Sequence, residues 1–255
     1  GDETPEIAWL SVAAASELAN DEATLILLGE KDGAPYFAID LSHIEDPETV
    51  VSHGTFVGLR DVGGGLGQSE GALLSYAKGL IHWHDRHPFC ARCGSATDTT
   101  DAGHVRVCVN PDCKVSHFPR TDPAVIMLVH KGDRCILAHN RRNPRPMYST
   151  LAGFVEPGES LEEAVAREVL EEVGIQVGRV RYHSSQPWPF PGNIMLGFHA
   201  EAVSTDIEIE EAEISEARWF ERAEIANASE TGLKLSRSES ISRRLIDDWV
   251  AGAVE

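Results

Sequence analysis

The chain has 255 residues, 42 % of them apolar, and a formal net charge of −19. This is enough chain for one large domain or two to three small ones, and no apolar run is long enough to span a bilayer. So acidic a total excludes a general grip on nucleic-acid backbone, whose affinity comes from basic side chains displacing counterions, but allows a small anionic substrate where metal ions reverse the sign locally.

No charged-then-apolar leader is seen, so a cytoplasmic location is expected. Residues 1–68 mix short β-rich runs (Leu25–Leu28, Tyr36–Ile39, Thr55–Leu59) with polar turns. Asp32-Gly33 between two apolar runs predicts a hairpin. The run Gly63-Gly64-Gly65-Leu66-Gly67 lacks the Lys and Ser/Thr of a phosphate-cradling loop and reads as a flexible linker. Leu73, Tyr76, Ala77, Leu80 and Trp83 recur three or four apart, so a helix is expected over 69–86.

Four of the five cysteines follow: Cys90-x2-Cys93 and Cys108-x4-Cys113, separated by 14 residues. Each pair can offer two thiolates from one tight turn, and two facing turns complete the closed tetrahedral site of one structural zinc per chain. His82, His84 and His87 lie just upstream and could replace a cysteine, although surface or helix-end positions suit them better. Cys135 falls in a predicted strand and reads as a buried thiol. The segment from Cys90 to Arg120 holds four Lys or Arg against three Asp, which gives no basic stripe for RNA.

From Asp122 the texture changes. Ala124–Val129 and Cys135–His139 flank Lys131-Gly132-Asp133 and predict a second hairpin. Ser160 with Glu163 forms a capping box, Leu161, Ala164, Val165, Val169 and Val173 keep helical spacing, and Gly174 stands where a helix ends. Glu168, Glu171 and Glu172 then share one face. Three carboxylates that close are stable in their charged form only beside cations, and hard oxygen ligands favour Mg²⁺ or Mn²⁺. Arg167 can lock the preceding loop to the helix through Glu159. One carboxylate not saturated by metal, Glu171 or Glu172, can accept a proton from the attacking water. Ile194–Ala202 and Arg218–Phe220 read as strands, and a last amphipathic helix is expected over 239–250.

The spacing Gly153-x5-Glu159-x7-Arg167-Glu168-Val169-x-Glu171-Glu172-x-Gly174-Ile175 resembles the Nudix box without departure. Further on, Ser185-Gln186-Pro187-Trp188-Pro189-Phe190-Pro191-Gly192-Asn193 alternates stiff prolines with flat aromatic faces and one amide, a loop suited to a purine or nicotinamide ring. Box, four-cysteine knuckle and loop together resemble the NADH pyrophosphatase (NudC-like) family, from about residue 69 to the end. Asn193 departs from the serine of the family motif, which implies a changed contact.

The resemblance implies an α/β fold, a Nudix α/β/α sandwich with a mixed sheet over 121–255. A zinc ribbon would occupy 89–120, and an α+β domain, a diverged copy of the Nudix fold, 1–88. It implies hydrolysis of NAD(H) to nicotinamide mononucleotide and AMP, and removal of NAD caps from RNA 5′ ends. Glu168, Glu172 and Glu213 would hold Mg²⁺ or Mn²⁺, with Glu171 close by and the carbonyl of Ala152 joining them. Phe154 would stack on a base, and Phe118 of a second copy would form the other side of that stack, which requires a homodimer. Gln186, Pro187, Trp188, Pro189, Phe190, Pro191, Gly192 and Asn193 would line the dinucleotide pocket, and Ser242 would meet substrate through its backbone. Competing readings are a Nudix hydrolase of ADP-ribose or a diadenosine polyphosphate, and a zinc-ribbon/Nudix nucleotide sensor without activity.

Overall fold

The computed structural model describes residues 4–18, 24–51, 54–142 and 147–253. The chain divides into two compact units, Gly1–Thr121 with Trp188–Gly192, and Asp122–Pro187 with Asn193–Glu255.

The first unit opens with α1 (Val12–Leu18) and an antiparallel hairpin, β1 (Leu25–Lys31) and β2 (Ala34–Ile39). Its two-residue loop is the expected Asp32-Gly33, with φ of 55° and 78°, the doubly positive pair that a type I′ turn requires. Two expectations fail next. Thr55–Leu59 forms no strand: Gly58 is the N-cap of the short helix α2 (Leu59–Val62). The glycine run is no linker either, because Gly63–Gly65 carries α2 into one 3₁₀ turn. Close packing explains the glycine at its end, since a Cβ on Gly65 would lie 2.7 Å from the ring of Pro5.

Helix α3 (Gln68–Arg86) buries Ala77, Leu80, Trp83 and His84. The ribbon follows as a three-stranded antiparallel sheet, β3 (Thr97–Thr100), β4 (Val105–Cys108) and β5 (Ser116–His117). Its β3–β4 turn is fixed by polar contacts. His84 Nε2 lies 2.7 Å from the carbonyl of Gly103, and His104 Nε2 lies 2.7 Å from that of Leu27.

The second unit is built on a mixed six-stranded sheet. Its strands are β6 (Asp122–Lys131), β7 (Arg134–Asn140), β8 (Leu151–Phe154), β9 (Val177–Trp188), β10 (Asn193–Ala202) and β11 (Ile214–Glu221). The order is β11-β7-β6-β10-β9, with β8 also paired to β6; β10 runs parallel to β6, while β7 and β8 run antiparallel to it. Helix α4 (Leu161–Val173) lies on one face. After the short α5 (Arg222–Ala226) and α6 (Ala228–Thr231), α7 (Ile241–Val250) lies on the other.

The apolar run of β6 shows why two helices are needed. Successive strand side chains point to opposite faces. Val125, Met127 and Val129 therefore pack with Ala164, Val165, Val169 and Val173 of α4. Ile126 and Leu128 pack with Ile241, Leu245, Ile246 and Trp249 of α7. A strand buried on both faces has no polar side to alternate, so its sequence reads as continuous apolar residues. This is the expected α/β/α sandwich.

Leu245 is fully buried, whereas Leu170, on the outer side of α4, is 51 % exposed. Leu245→Ala is expected to lower stability by about 2–5 kcal/mol. Leu170→Ala should stay within about 0.5 kcal/mol of the parent. Urea denaturation of the two variants checks the contrast, and equal losses would contradict the assignment of α7 to the core.

Candidate active site and metal centre

The acidic helix is held at both ends by local chemistry. Ser160 Oγ accepts the backbone N–H of Glu163 at 3.3 Å, and the Glu163 carboxylate accepts that of Ser160 at 2.8 Å. Gly174 closes the helix at φ 69°. Before it, the Glu156–Glu159 turn is drawn in by a bond from the Glu156 N–H to Glu159 Oε2 at 3.0 Å.

Arg167 joins loop, strand and helix. Its Nε and Nη2 grip Glu159 at 2.6 and 2.9 Å, the bidentate geometry of strong guanidinium–carboxylate pairs. Nη2 also donates to the carbonyl of Phe154 at 2.8 Å, and Nη1 reaches Glu168 Oε1 at 2.9 Å and Glu171 Oε2 at 3.0 Å. The guanidinium holds the Glu159 carboxyl down to about 2.

The remaining carboxylates sit in the opposite field. Glu172 is only 4 % exposed, and burial, then the nearby charges of Glu168 and Glu213, push its carboxyl up to about 8. Burial also raises Glu168, against the pull of Arg167. Glu172 hydrogen-bonds the backbone of Ala152, but among the described residues its Oε2 has no partner. A buried polar atom without a partner is costly. Here it lies among like charges, so the donor set fits a hard divalent cation. Gly153 gives the cluster room: a Cβ there would lie 1.8 Å from the carboxylate carbon of Glu168. Glu171 stays outside, its side chain 60 % exposed.

Other candidates occupy distinct settings. Phe154 ends β8 and is 57 % exposed. Ser242 is buried in the first turn of α7, where its Oγ accepts from the backbone N–H and hydroxyl of Thr150 at 3.1 and 3.0 Å. Gln186 does not offer a free amide edge. Its Nε2 donates to the carbonyl of Glu239 and its Oε1 accepts from the N–H of Ile241, both at 2.8 Å, so it braces the start of α7. Pro187 and Asn193 belong to the second unit; Asn193 begins β10 in register with Asp122.

Trp188 to Gly192 and Phe118 belong to the first unit. The Trp188 and Phe190 rings meet edge to face, with centroids 5.2 Å apart. Arg60 stands 4.5 Å over Phe190 and 5.4 Å over Trp188, and Lys78 lies 5.9 Å from Phe190. Arg60, Lys78, His82, Pro189, Phe190 and Pro191 line an open pocket of about 400 Å³. The two cations are absent from the sequence reading; they come from α2 and α3, and no local motif marks them. Phe118 follows β5 and is 64 % exposed.

In the ribbon, the sulfurs of Cys90, Cys93, Cys108 and Cys113 all lie within 4.8 Å of one another. Tetrahedral zinc with bonds of about 2.3 Å would set them roughly 3.8 Å apart. Cys93–Cys108 at 3.4 Å and Cys90–Cys113 at 3.9 Å bracket that value. Gly94 and Lys114, just after each pair, take positive φ of 76° and 47° and turn the chain tightly. Hydrogen bonds with Ser95 bring the Cys93 thiol down to about 6, whereas burial pushes Cys108 up to about 12. The upstream histidines do not join the sulfurs. His84 contacts Gly103 and Arg106, His87 bonds the carbonyl of Trp83, and His82 lines the aromatic pocket. A downstream histidine touches one of them from outside the group of four: His117 Nε2 lies 3.3 Å from Cys90 Sγ.

The Glu172 carboxyl keeps its proton to about 8 in the fold but loses it near 4.5 when unfolded. Between those values the native state binds the extra proton, so stability without Mg²⁺ or Mn²⁺ falls as pH rises through that window. Glu172→Gln is therefore expected to melt several degrees above the parent at pH 8.5 in buffer free of both ions, at roughly 2–4 °C per kcal/mol relieved. The gap should close at pH 4.5 or on adding Mn²⁺. Calorimetry at the two pH values checks this, and a gap independent of pH would contradict it.

Three family models cover the chain. A NADH pyrophosphatase-like rudimentary NUDIX domain matches residues 2–83, a NADH pyrophosphatase zinc ribbon domain 85–118, and a NUDIX domain 120–243. The NAD-capped RNA hydrolase NudC of Mycobacterium bovis is 42 % identical over 94 % of this chain and 80 % of its own length. The NAD-capped RNA hydrolases NUDT12 of Macaca fascicularis and Homo sapiens are 41 % and 40 % identical over 72 % of this chain. The chain spans 43 % of the length of these two NUDT12 relatives. With a buried carboxylate, Glu172, on a Nudix helix, a four-cysteine ribbon and this likeness over nearly its whole length, the chain belongs to the NADH pyrophosphatase (NudC-like) family of Nudix hydrolases.

Proposed function

We propose that the chain hydrolyses the diphosphate of NAD(H) to nicotinamide mononucleotide and AMP, and makes the same cut at NAD-capped RNA 5′ ends. The observation that carries this reading is the buried Glu172 carboxylate, with an unpartnered oxygen and pushed up to about 8 among Glu168 and Glu213. Relatives named NAD-capped RNA hydrolases supply the substrate class. The Trp188–Phe190 edge with Arg60 and Lys78 supports it, because rings beside cations suit a flat heterocycle that carries phosphate.

In this reading Glu168, Glu172 and Glu213, with the Ala152 carbonyl, hold Mg²⁺ or Mn²⁺. Such ions neutralise phosphate oxygens and make a bound water more acidic. Arg167 keeps Glu168 and the Phe154 strand end in place through its four partners. Glu171, the exposed carboxylate of the three, accepts the water's proton at Oε1 while Oε2 stays on Arg167. Gln186 positions the root of its loop, the stretch from Pro187 to Asn193 receives the dinucleotide, and Pro189, Phe190 and Pro191 line the open pocket beside Arg60 and Lys78. Ser242 ties α7 to Thr150 and presents its own backbone. One zinc braces the ribbon.

The working division is 1–88, 89–120 and 121–255. The chain acts as a homodimer, in which exposed Phe118 of a second copy faces Phe154 across a base; each aromatic is more than half exposed. Among the described residues no helix is long and apolar enough to cross a membrane, and a cytoplasmic site of action fits this chemistry. An acidic chain suits NAD(H) directly, and suits RNA only when the NAD end alone is held.

Incubation with NADH and Mn²⁺, with products separated by chromatography, tests the substrate. AMP and reduced nicotinamide mononucleotide are expected in equal amounts. Glu171→Gln should lower kcat by about 10²–10⁴ while Mn²⁺ affinity persists, whereas Glu172→Gln should lose both. Intact NADH beside cleaved ADP-ribose or diadenosine polyphosphate would overturn the assignment.

A further inference from the structure

Beside the four-cysteine cluster the ribbon holds a histidine that the cysteine spacing does not single out. We propose that His117 is a reserve ligand for the ribbon's zinc, placed to take over the corner occupied by Cys90. The proposal rests on the zinc reading of the four cysteines.

Strand register puts the residue there. β5 pairs with β4 so that His117 stands opposite Arg106. On β4, Arg106 and Cys108 are two residues apart and share a face, so His117 projects to the face that carries Cys108. Its Nε2 ends 3.3 Å from Cys90 Sγ, a sulfur whose residue is only 3 % exposed. The other histidines near the ribbon are committed elsewhere: His84 to Gly103 and Arg106, His87 to Trp83, and His104 to Leu27 and Tyr76.

Structural zinc takes imidazole as well as thiolate, and Cys₃His and Cys₄ sites are both closed and tetrahedral. An imidazole nitrogen binds at about 2.0–2.1 Å. If Cys90 Sγ is removed, the vacated space adjoins Nε2, and the exchange requires rotation about the His117 side-chain bonds to bring the ring into it. The tautomer with its proton on Nδ1 presents the lone pair at Nε2. The exchange also removes one negative charge from the cluster in a chain that already carries −19. With Cys90 present, the same imidazole lies against its sulfur, the position from which outer partners orient metal ligands.

The test is zinc content of the purified full chain, measured by atomic absorption after dialysis against a weak chelator. The parent and His117→Ala are expected to hold one zinc. Cys90→Ala should also keep one, whereas Cys113→Ala and the double variant Cys90→Ala/His117→Ala should lose it. Cobalt-substituted Cys90→Ala should show a tetrahedral spectrum with the thiolate charge-transfer intensity of three sulfurs. Loss of zinc from Cys90→Ala as complete as from Cys113→Ala overturns the proposal, and so does equal retention by the double variant. If Cys90→Ala is not recovered soluble, zinc release to a strong chelator from His117→Ala decides, since all four cysteines remain. Release about tenfold faster than from the parent supports the proposal, and equal rates overturn it. A parent chain without zinc removes the ribbon's metal and the proposal with it, whereas a zinc-loaded parent confines any failure to His117.

Discussion

Glu168, Glu171 and Glu172 occupy adjacent turns of one helix face, and two of them point into the protein. Like charges in a poorly solvated place repel strongly, and among the described residues the cation hydrogen-bonded to this face is Arg167. Arg167 shares its one positive charge among Glu159, Glu168 and Glu171, but it does not reach Glu172. The charge left over suits a divalent ion. Much of the second unit can be read as scaffolding for that imbalance: the capping box that starts α4, the glycine that ends it, and the absent side chain at Gly153.

The same sheet links the helix to the aromatic loop's root. β6 buries alternate side chains under α4 and α7, so neither helix shifts without the other's packing being disturbed. The start of α7 accepts and donates bonds to Gln186 on β9, and Ser242 receives Thr150 just ahead of β8. Strand β8 then presents Ala152 to Glu172 and the Phe154 carbonyl to Arg167. Side chains with no contact to a diphosphate thereby fix the geometry of those that would make one.

Local signals were the legible part of this architecture. Capping residues, a glycine after the helix and apolar positions at helical spacing placed α4 to within a residue, and Asp32-Gly33 and Lys131-Gly132-Asp133 placed both hairpins. Where the sequence misled, the deciding contact was distant. Gly65 abuts Pro5, so a glycine run that reads as flexible is a packed turn. The amide of Gln186 has partners some 50 residues later in the chain, and nothing in its own loop reveals them. Arg60 and Lys78 meet the aromatic loop only through tertiary packing. His117 differs in kind, because its position follows from strand register, and a strand of two residues gives almost no periodic signal.

What the fold adds to the carboxylates is burial and placement, beyond their mere presence on a helix. Gly153→Ala tests it most directly, because it keeps every acidic side chain and only fills the space in which Glu168 lies. The measurement is a Mn²⁺ titration of parent and variant followed by electron paramagnetic resonance of the free ion. The variant is expected to stay folded and to bind Mn²⁺ at least about tenfold more weakly. Unchanged affinity would contradict it and reduce the acidic face of α4 to a solvated helix surface.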